Sequence, residues 1–155
     1  MIIVELYRVF SIEFFLYMWY NWYRVVSMNT DSMNVITLAY LGDSVYEVYI
    51  REYLISKGIV YVVDLQKEAI KYVSAKSQAK ILDYLVNNNY LSEEEVNIVK
   101  RGRNYKRDSH PKNTDIITYK KSTGFECLIG YLYLSKNINR LDEIMNIIKE
   151  EYVYE

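Results

Sequence analysis

Apolar residues recur at helical intervals through most of this chain. After Asn34, a residue type that caps helix N-termini, the apolar spacing predicts a long helix that ends near residues 57–58. Five further helices are predicted: 65–72, 74–87, a capping-box helix from Ser92 with Glu95 to about 101–102, one from near Asp115 to Ser135, and 140–152. The alternating stretch 59–63 is too short to seed a sheet. The pattern therefore predicts an all-α fold.

The first 27 residues differ in character from the rest. Eight aromatic residues lie between residues 10 and 23, and the least charged run, 9–23, is shorter than the roughly 20 apolar residues of a spanning helix. This segment is an extra packed helix, an interfacial aromatic anchor, or translated sequence ahead of a start at Met28 or Met33, and its composition favours the last two jointly. We expect no stable membrane association. Residues 1–27 are therefore set apart as an extension whose status stays open, and 28–155 as one domain.

Charge is segregated along the chain. The net charge is −1, yet residues 100–121 hold eight basic residues against two acidic ones, which makes this segment +6 and the remainder −7. Its middle, residues 103–113, contains the only proline and is predicted to be a loop. Such a segment is either a solvated charged loop or a site that attracts a polyanion such as RNA. The candidate RNA-binding residues are Arg101, Arg103, Lys106, Arg107 and Lys112.

Two acidic residues stand in unusual positions within predicted helices. Gly42 and Asp43 interrupt the middle of the first long helix, where glycine costs up to about 1 kcal/mol relative to alanine. Either Gly42 lets a second helix or a substrate approach and Asp43 acts in the cleft, or the pair is a packing glycine beside a solvated acid. Glu126 lies in an apolar, glycine-spaced helix and needs a partner, either a basic side chain or a cation shared with Asp43. Because Mg²⁺ prefers oxygen ligands and keeps several waters, two carboxylates are enough to hold it.

These segments resemble a known family. Residues 41–45 resemble the signature helix of the ribonuclease III superfamily, and residues 125–130 resemble its second catalytic helix. Segments 73–79, 100–104 and 111–115 resemble the short bacterial form, Mini-ribonuclease III, in order and spacing. The resemblance covers about residues 34–148. It implies a ribonuclease III-like helical catalytic domain that cleaves double-stranded RNA as a Mg²⁺-dependent homodimer in the cytoplasm, maturing large-subunit (23S) ribosomal RNA precursors.

The resemblance also identifies departures from the family pattern. The full-length family carries four acids in each centre, but two of these positions hold Ala39 and Thr123 here. Asp43 and Glu126 alone remain as catalytic residues and metal ligands. The alternative is a catalytically inactive RNA-binding or ribosome-associated module on the same fold. Glu47 is either a replacement ligand or the helical ion-pair partner of Arg51, and the spacing favours the ion pair.

The remaining expectations concern RNA binding and assembly. The chain after Glu126 is too short for a separate double-stranded RNA-binding domain, so the basic loop must bind the duplex. His110 is expected to be solvated or to touch phosphate, and Cys127, the only cysteine, to be a small core residue. Cutting two strands needs two centres, which a C2 dimer supplies. An apolar stripe on the first long helix either forms the dimer contact or faces the monomer's own core: Leu41, Val45 and Val48.

Overall fold

The described part of the chain consists of helices and short connections. A computed structural model describes residues 14, 16–18, 30–106 and 115–152. Residues 14 and 16–18 are helical; within 30–106 and 115–152 a 3-10 turn at Thr30–Ser32 precedes six α-helices, and none of the described residues lies in a strand. The helices are α1 (Val35–Ser56), α2 (Val62–Val73), α3 (Ala75–Asn87), α4 (Glu93–Arg103), α5 (Ile116–Leu134) and α6 (Ile138–Glu150). The predicted all-α fold is confirmed.

Polar caps start four of these helices where the sequence predicts. The hydroxyl of Ser74 accepts a hydrogen bond from the Ser77 amide at 3.3 Å and begins α3. The side-chain oxygen of Asn34 accepts a hydrogen bond from the Ile36 amide at 2.9 Å and begins α1. Ser92 and Glu95 form both halves of a capping box at the start of α4. Asp115 accepts two amide hydrogen bonds at the start of α5. Because each cap satisfies backbone donors that the helix itself leaves unpaired, short local patterns identify these starts correctly.

Helix α2 begins earlier than predicted, at Val62 rather than at residue 65. The last two residues of the alternating stretch 59–63 are therefore helical. Val62 and Val63 are exposed and β-branched, which is typical of strands, and Tyr61 makes no side-chain cap. Asp64 lies within the first turn, where its negative charge stabilises the helix N-terminus without capping it. Helix α6 likewise begins at Ile138, two residues before its predicted start.

The core is built around α5. Every residue from Ser122 to Leu132 is buried except Glu126, so this helix is enclosed on nearly all sides. Helices α1, α3 and α4 pack around α5. The crossing with α1 is close: a Cβ atom on Gly42 would overlap the backbone carbonyl of Glu126. Gly42 therefore lets a second helix approach, which is one of the two roles that the sequence allowed.

Helix α6 is tied to α4 through a buried ion pair. The Nε atom of Arg140 donates to Oε1 of Glu95 at 2.7 Å, and Nη2 donates to Oε2 at 3.0 Å. The Glu95 side chain is only 7% exposed. Burial by itself raises the pKa of Glu95, but hydrogen bonds from Arg140 and from the Ser92 amide outweigh it, and the net pKa is lowered.

The predictions for residues 1–27 fall largely outside the described residues. The four that are described there have side chains that are more than half exposed: Phe14, Leu16, Tyr17 and Met18. Among the helices of the described ranges, none combines the length and the apolar character needed to cross a bilayer.

Candidate active site

Asp43 and Glu126 line one open pocket. Asp43 is on α1 and Glu126 is on α5, and the close crossing at Gly42 brings their helices together. Both acidic residues are half-buried, and the pocket measures about 210 Å³. Its lining consists of Ile36, Ala39, Tyr40, Asp43, Ser44, Tyr119, Thr123 and Glu126. The structure thus brings together the two acids that the sequence paired.

The other polar groups of this pocket are oriented by helix backbone. Ser44 donates its hydroxyl proton to the carbonyl of Tyr40 at 3.4 Å, and Thr123 donates to the carbonyl of Tyr119 at 3.1 Å. Because a hydroxyl has one proton, both oxygens then face their surroundings as acceptors. A pocket with two carboxylates and acceptor oxygens attracts cations rather than anions.

The donor set suits a hard cation with few protein ligands. Ala39 and Thr123 line the pocket but supply no carboxylate. No group of three or more His, Cys, Asp or Glu residues with metal-binding geometry occurs within residues 30–106 and 115–152. Zn²⁺ sites normally use three or four such ligands, whereas Mg²⁺ is held by one or two carboxylates, waters and substrate phosphate. Asp43 and Glu126 therefore fit Mg²⁺ better than Zn²⁺.

Gln78 is a neighbour of the site that the sequence analysis missed. Its side chain, on α3, is 1% exposed, and its Nε2 atom donates to Oδ1 of Asp43 at 3.4 Å. A signal was present in the sequence, because Gln78, Leu82 and Leu85 follow helical spacing and all three are buried. A glutamine on an otherwise apolar stripe indicates a polar partner in the interior.

Two further predictions near the site agree with the structure. Glu47 pairs with Arg51 one turn later on α1, as the spacing favoured. The pair lines a second pocket of about 210 Å³ that also includes Asp43. Cys127 is fully buried, and its thiol donates to the carbonyl of Val35 at 3.0 Å. Cys127 is therefore a core residue, as predicted.

The predicted RNA-binding residues are only partly described. Arg103 and Lys106 are exposed at the end of α4. Arg101 is half-buried and donates to the carbonyl of Met33 at 3.1 Å, which ties α4 to the segment before α1. This intramolecular contact was not predicted. The remaining positions, Arg107, Lys112 and His110, lie outside the described residues.

The described end of the basic segment adjoins the candidate site. Tyr105 and Lys120 line a small pocket that shares three residues with the pocket of Asp43 and Glu126. The shared residues are Ile36, Tyr119 and Thr123. Lys120, a cation of the basic segment, therefore lines a pocket next to that of the two acids, an arrangement suited to a phosphate bridged by a cation.

The apolar stripe on α1 is partly buried in the core and partly exposed. Val45 is buried and Leu41 is half-buried, so both belong to the monomer core. Val48 is 52% exposed, and Ile55, seven residues later, is 58% exposed. Ile55, but not Val48, lines a groove of about 420 Å³ between α1 and α2. Helix α2 adds the exposed side chains of Val62 and Ile70.

Comparisons with known proteins agree with this architecture. Residues 36–137 match the Ribonuclease III domain family, a range that contains both acids. The chain is similar to Mini-ribonuclease 3 of Brevibacillus brevis, with 52% identity over 112 residues, 72% of this chain and 82% of the relative. It is 43% identical to Mini-ribonuclease 3 of Streptococcus pneumoniae over 119 residues, 77% of this chain and 93% of the relative. Its fold is similar to that of protein FN1578 from Fusobacterium nucleatum, with a TM-score of 0.69, 34% identity, and coverage of 81% of this chain and 100% of that chain.

Proposed function

Because the chain belongs to the ribonuclease III family and is a ribonuclease III-like endoribonuclease, we propose that it cleaves double-stranded RNA with the help of Mg²⁺. The resemblance found in the sequence is confirmed at the level of the family. One observation carries the finer proposal: half-buried carboxylates from α1 and α5 share a pocket beside the basic segment. In this proposal residues 28–155 form the catalytic domain and residues 1–27 lie outside it.

Asp43 and Glu126 are the proposed ligands and catalytic residues. Mg²⁺, when bound, lowers the pKa of water for attack on the phosphodiester and neutralises the charge that builds on the phosphate. The two carboxylates would hold the cation from two helices that cross closely at Gly42. The hydroxyl oxygens of Ser44 and Thr123, whose protons are donated to helix carbonyls, belong to residues that line the same pocket. No serine, cysteine or histidine nucleophile takes part in this proposal.

The test of the proposed site compares three carboxylate variants. Asp43→Asn and Glu126→Gln should reduce cleavage of a duplex RNA to the level of a buffer control while the RNA is still bound. Glu47→Gln is the matched control, because Glu47 lies one turn from Asp43 but is paired with Arg51. It should cleave at nearly the parental rate. Full activity of Asp43→Asn in Mg²⁺ would contradict the proposal.

The same assay distinguishes an active endoribonuclease from the alternative function. The rival is an inactive RNA-binding module, motivated by Ala39 and Thr123 at the pocket wall. Tight binding of duplex RNA by the parental chain, with no cleavage over a range of Mg²⁺ concentrations, would support the rival. Cleavage that needs a divalent cation and disappears with EDTA would support the enzyme.

We propose that the basic segment binds the duplex through its phosphates. Arg101, Arg103, Lys106, Arg107 and Lys112 are the proposed contacts. Arg103→Ala is the cleanest test, because Arg103 is exposed whereas Arg101 also holds Met33. Arg103→Ala should weaken RNA binding. It should also reduce the slope of the logarithm of the binding constant against the logarithm of salt concentration by roughly one. Lys67→Ala, an exposed cation on α2, is the matched control and should leave the salt dependence unchanged.

We further propose that the natural substrates are large-subunit ribosomal RNA precursors, which implies a cytoplasmic site of action. The support for this step is the similarity to the Mini-ribonuclease 3 relatives. The test is to remove the protein from its host and to map the ends of large-subunit ribosomal RNA. Extended ends that are restored by the parental chain but not by Asp43→Asn are the expected result, and fully mature ends without the protein would contradict it.

A homodimer is proposed because duplex cleavage needs two centres. The exposed apolar side chains of Ile55 on α1 and of Val62 and Ile70 on α2 line one groove, which we propose as the self-complementary face. Ile70→Asp should shift the protein from dimer to monomer in light scattering. Val86→Asp, at an exposed apolar position on α3, is the control and should not change the mass. A parental chain that is monomeric at micromolar concentration would contradict the dimer.

A further inference from the structure

Gln78 holds a buried acceptor that the fold does not satisfy. Over the described ranges, Oε1 of Gln78 is the one buried side-chain nitrogen or oxygen atom without a hydrogen-bond partner. The residue is 1% exposed. An unpaired buried acceptor destabilises a fold, and such groups occur where a water, an ion or catalysis requires them. The position of Gln78 therefore needs an explanation beyond packing.

The amide orientation follows from its neighbour. Nε2 of Gln78 donates to Oδ1 of Asp43 at 3.4 Å. An ionised carboxylate only accepts hydrogen bonds, so the opposite orientation of the amide would bring two acceptors together. Oε1 is bonded to the same amide carbon as Nε2, so this buried acceptor lies next to the Asp43 carboxylate.

We propose that Gln78 is a positioning residue for the divalent cation at Asp43. Its Nε2 atom orients the Asp43 carboxylate, and its Oε1 atom accepts a hydrogen bond from the hydration shell of the cation. Mg²⁺ held by only two carboxylates keeps several waters, and their protons need acceptors nearby. This inference rests on the proposed function, because it assumes that Asp43 binds the cation.

A purely structural role for Gln78 makes the opposite prediction. If Gln78 served stability alone, an apolar side chain of the same volume would lose one long hydrogen bond and destabilise the protein. If Gln78 serves the cation, the same change removes an unsatisfied acceptor from the interior of the cation-free protein. Gln78→Met, which preserves volume closely, therefore separates the two roles.

The experiment measures Mg²⁺ binding by the full chain without RNA. The Kd for Mg²⁺ is taken from the rise in melting temperature with Mg²⁺ concentration, starting from protein in EDTA. We expect Gln78→Met to melt in EDTA at the parental temperature or above it, and its Kd for Mg²⁺ to rise about tenfold. Gln78→Asn, which keeps the amide but withdraws it by one methylene, is the second variant and should also raise the Kd.

Ile81→Val is the matched control on the same helix. Ile81 is fully buried and apolar, so its truncation should lower the melting temperature in EDTA and leave the Kd for Mg²⁺ at the parental value. A Kd of Gln78→Met within about twofold of the parental one, while Asp43→Asn abolishes the response, overturns the inference about Gln78 alone. A parental chain with no Mg²⁺ response, or an Asp43→Asn variant that retains it, overturns the proposed metal site and this inference together.

Discussion

Replacing Gly42 with alanine perturbs the contact that brings the two carboxylates together. A Cβ atom at this position would overlap the backbone carbonyl of Glu126 and lie 2.7 Å from the backbone nitrogen of Gly130. Both obstacles are main-chain atoms of a buried helix, so neither can rotate away as a flexible side chain would. Alanine at position 42 therefore forces α1 and α5 apart beside Asp43.

The expected loss of stability combines two opposing effects. Alanine favours a helix over glycine by up to about 1 kcal/mol. Overpacking a well-filled interior costs about 1–3 kcal/mol, and the rigid backbone contact at Gly42 favours the upper end of that range. The net decrease in the free energy of unfolding should be about 2 kcal/mol, which corresponds to a melting temperature lower by roughly 4–8 °C for a chain of this size.

Gly42→Ala should also lose activity while it is still folded. A displacement of about 1 Å between catalytic groups can reduce a rate by about a hundredfold. Cleavage of duplex RNA by Gly42→Ala should fall by about that factor at a temperature where circular dichroism shows the protein to be folded. The reasoning would be refuted if Gly42→Ala melted at the parental temperature and cleaved at the parental rate.

Gly58→Ala is the control for stability without displacement. Gly58 has a φ of +86°, and a Cβ atom there would meet no atom within 4 Å. Its replacement strains the backbone by about 1–2 kcal/mol but moves no helix. Gly58→Ala should therefore melt at a lower temperature and keep its rate for each folded molecule. Equal losses of activity in both variants would mean that the crossing at Gly42 has no special part in the site.

Three further predictions concern the link between α4 and α6 and the start of α4. Arg140→Met should reduce the free energy of unfolding by about 3 kcal/mol, because it leaves the Glu95 carboxylate buried without its cation. The measurement is a urea titration, and an unchanged urea midpoint would contradict this prediction. The pKa of Glu95 is lowered below 4.5 in the folded protein, so its stabilisation is present above that pH and is lost as the pH falls through the folded pKa. Stability of the parent should therefore fall more steeply with acid than that of Glu95→Gln, and parallel curves would disprove the assignment. Ser92→Ala should cost about 1 kcal/mol through loss of the capping box, measured by the same urea titration, and a cost near zero would show that Glu95 alone holds the first turn.

Local side-chain patterns account for the features that could be predicted from the sequence. Asn34, Ser92 and Asp115 cap the amides that immediately follow them, so their effect is readable within a few residues. The pairing of Asp43 with Glu126 was one of the alternatives that their unfavourable helix positions left open, and the resemblance to the ribonuclease III superfamily favoured it. The start of α2 was not predictable in this way, since Val62 and Val63 favour strands and no polar cap marks the helix.

Contacts between distant residues account for what the sequence analysis missed. Gln78 and Asp43 are 35 residues apart, and Arg101 and Met33 are 68 apart. Both contacts depend on how the helices cross, which apolar spacing does not determine. Arg101 was predicted to bind RNA from its charge alone, and its contact with Met33 adds a structural role that no local pattern indicated.

The enclosure of α5 has a consequence for how the protein loses its function on heating. Both carboxylates project from helix bodies rather than from connecting segments, and Glu126 is flanked by buried residues on either side along its helix. Backbone amides around Glu126 should therefore exchange with deuterium only when the whole domain opens. Thermal inactivation should then coincide with global melting, with no lower temperature at which the catalytic centre frays on its own.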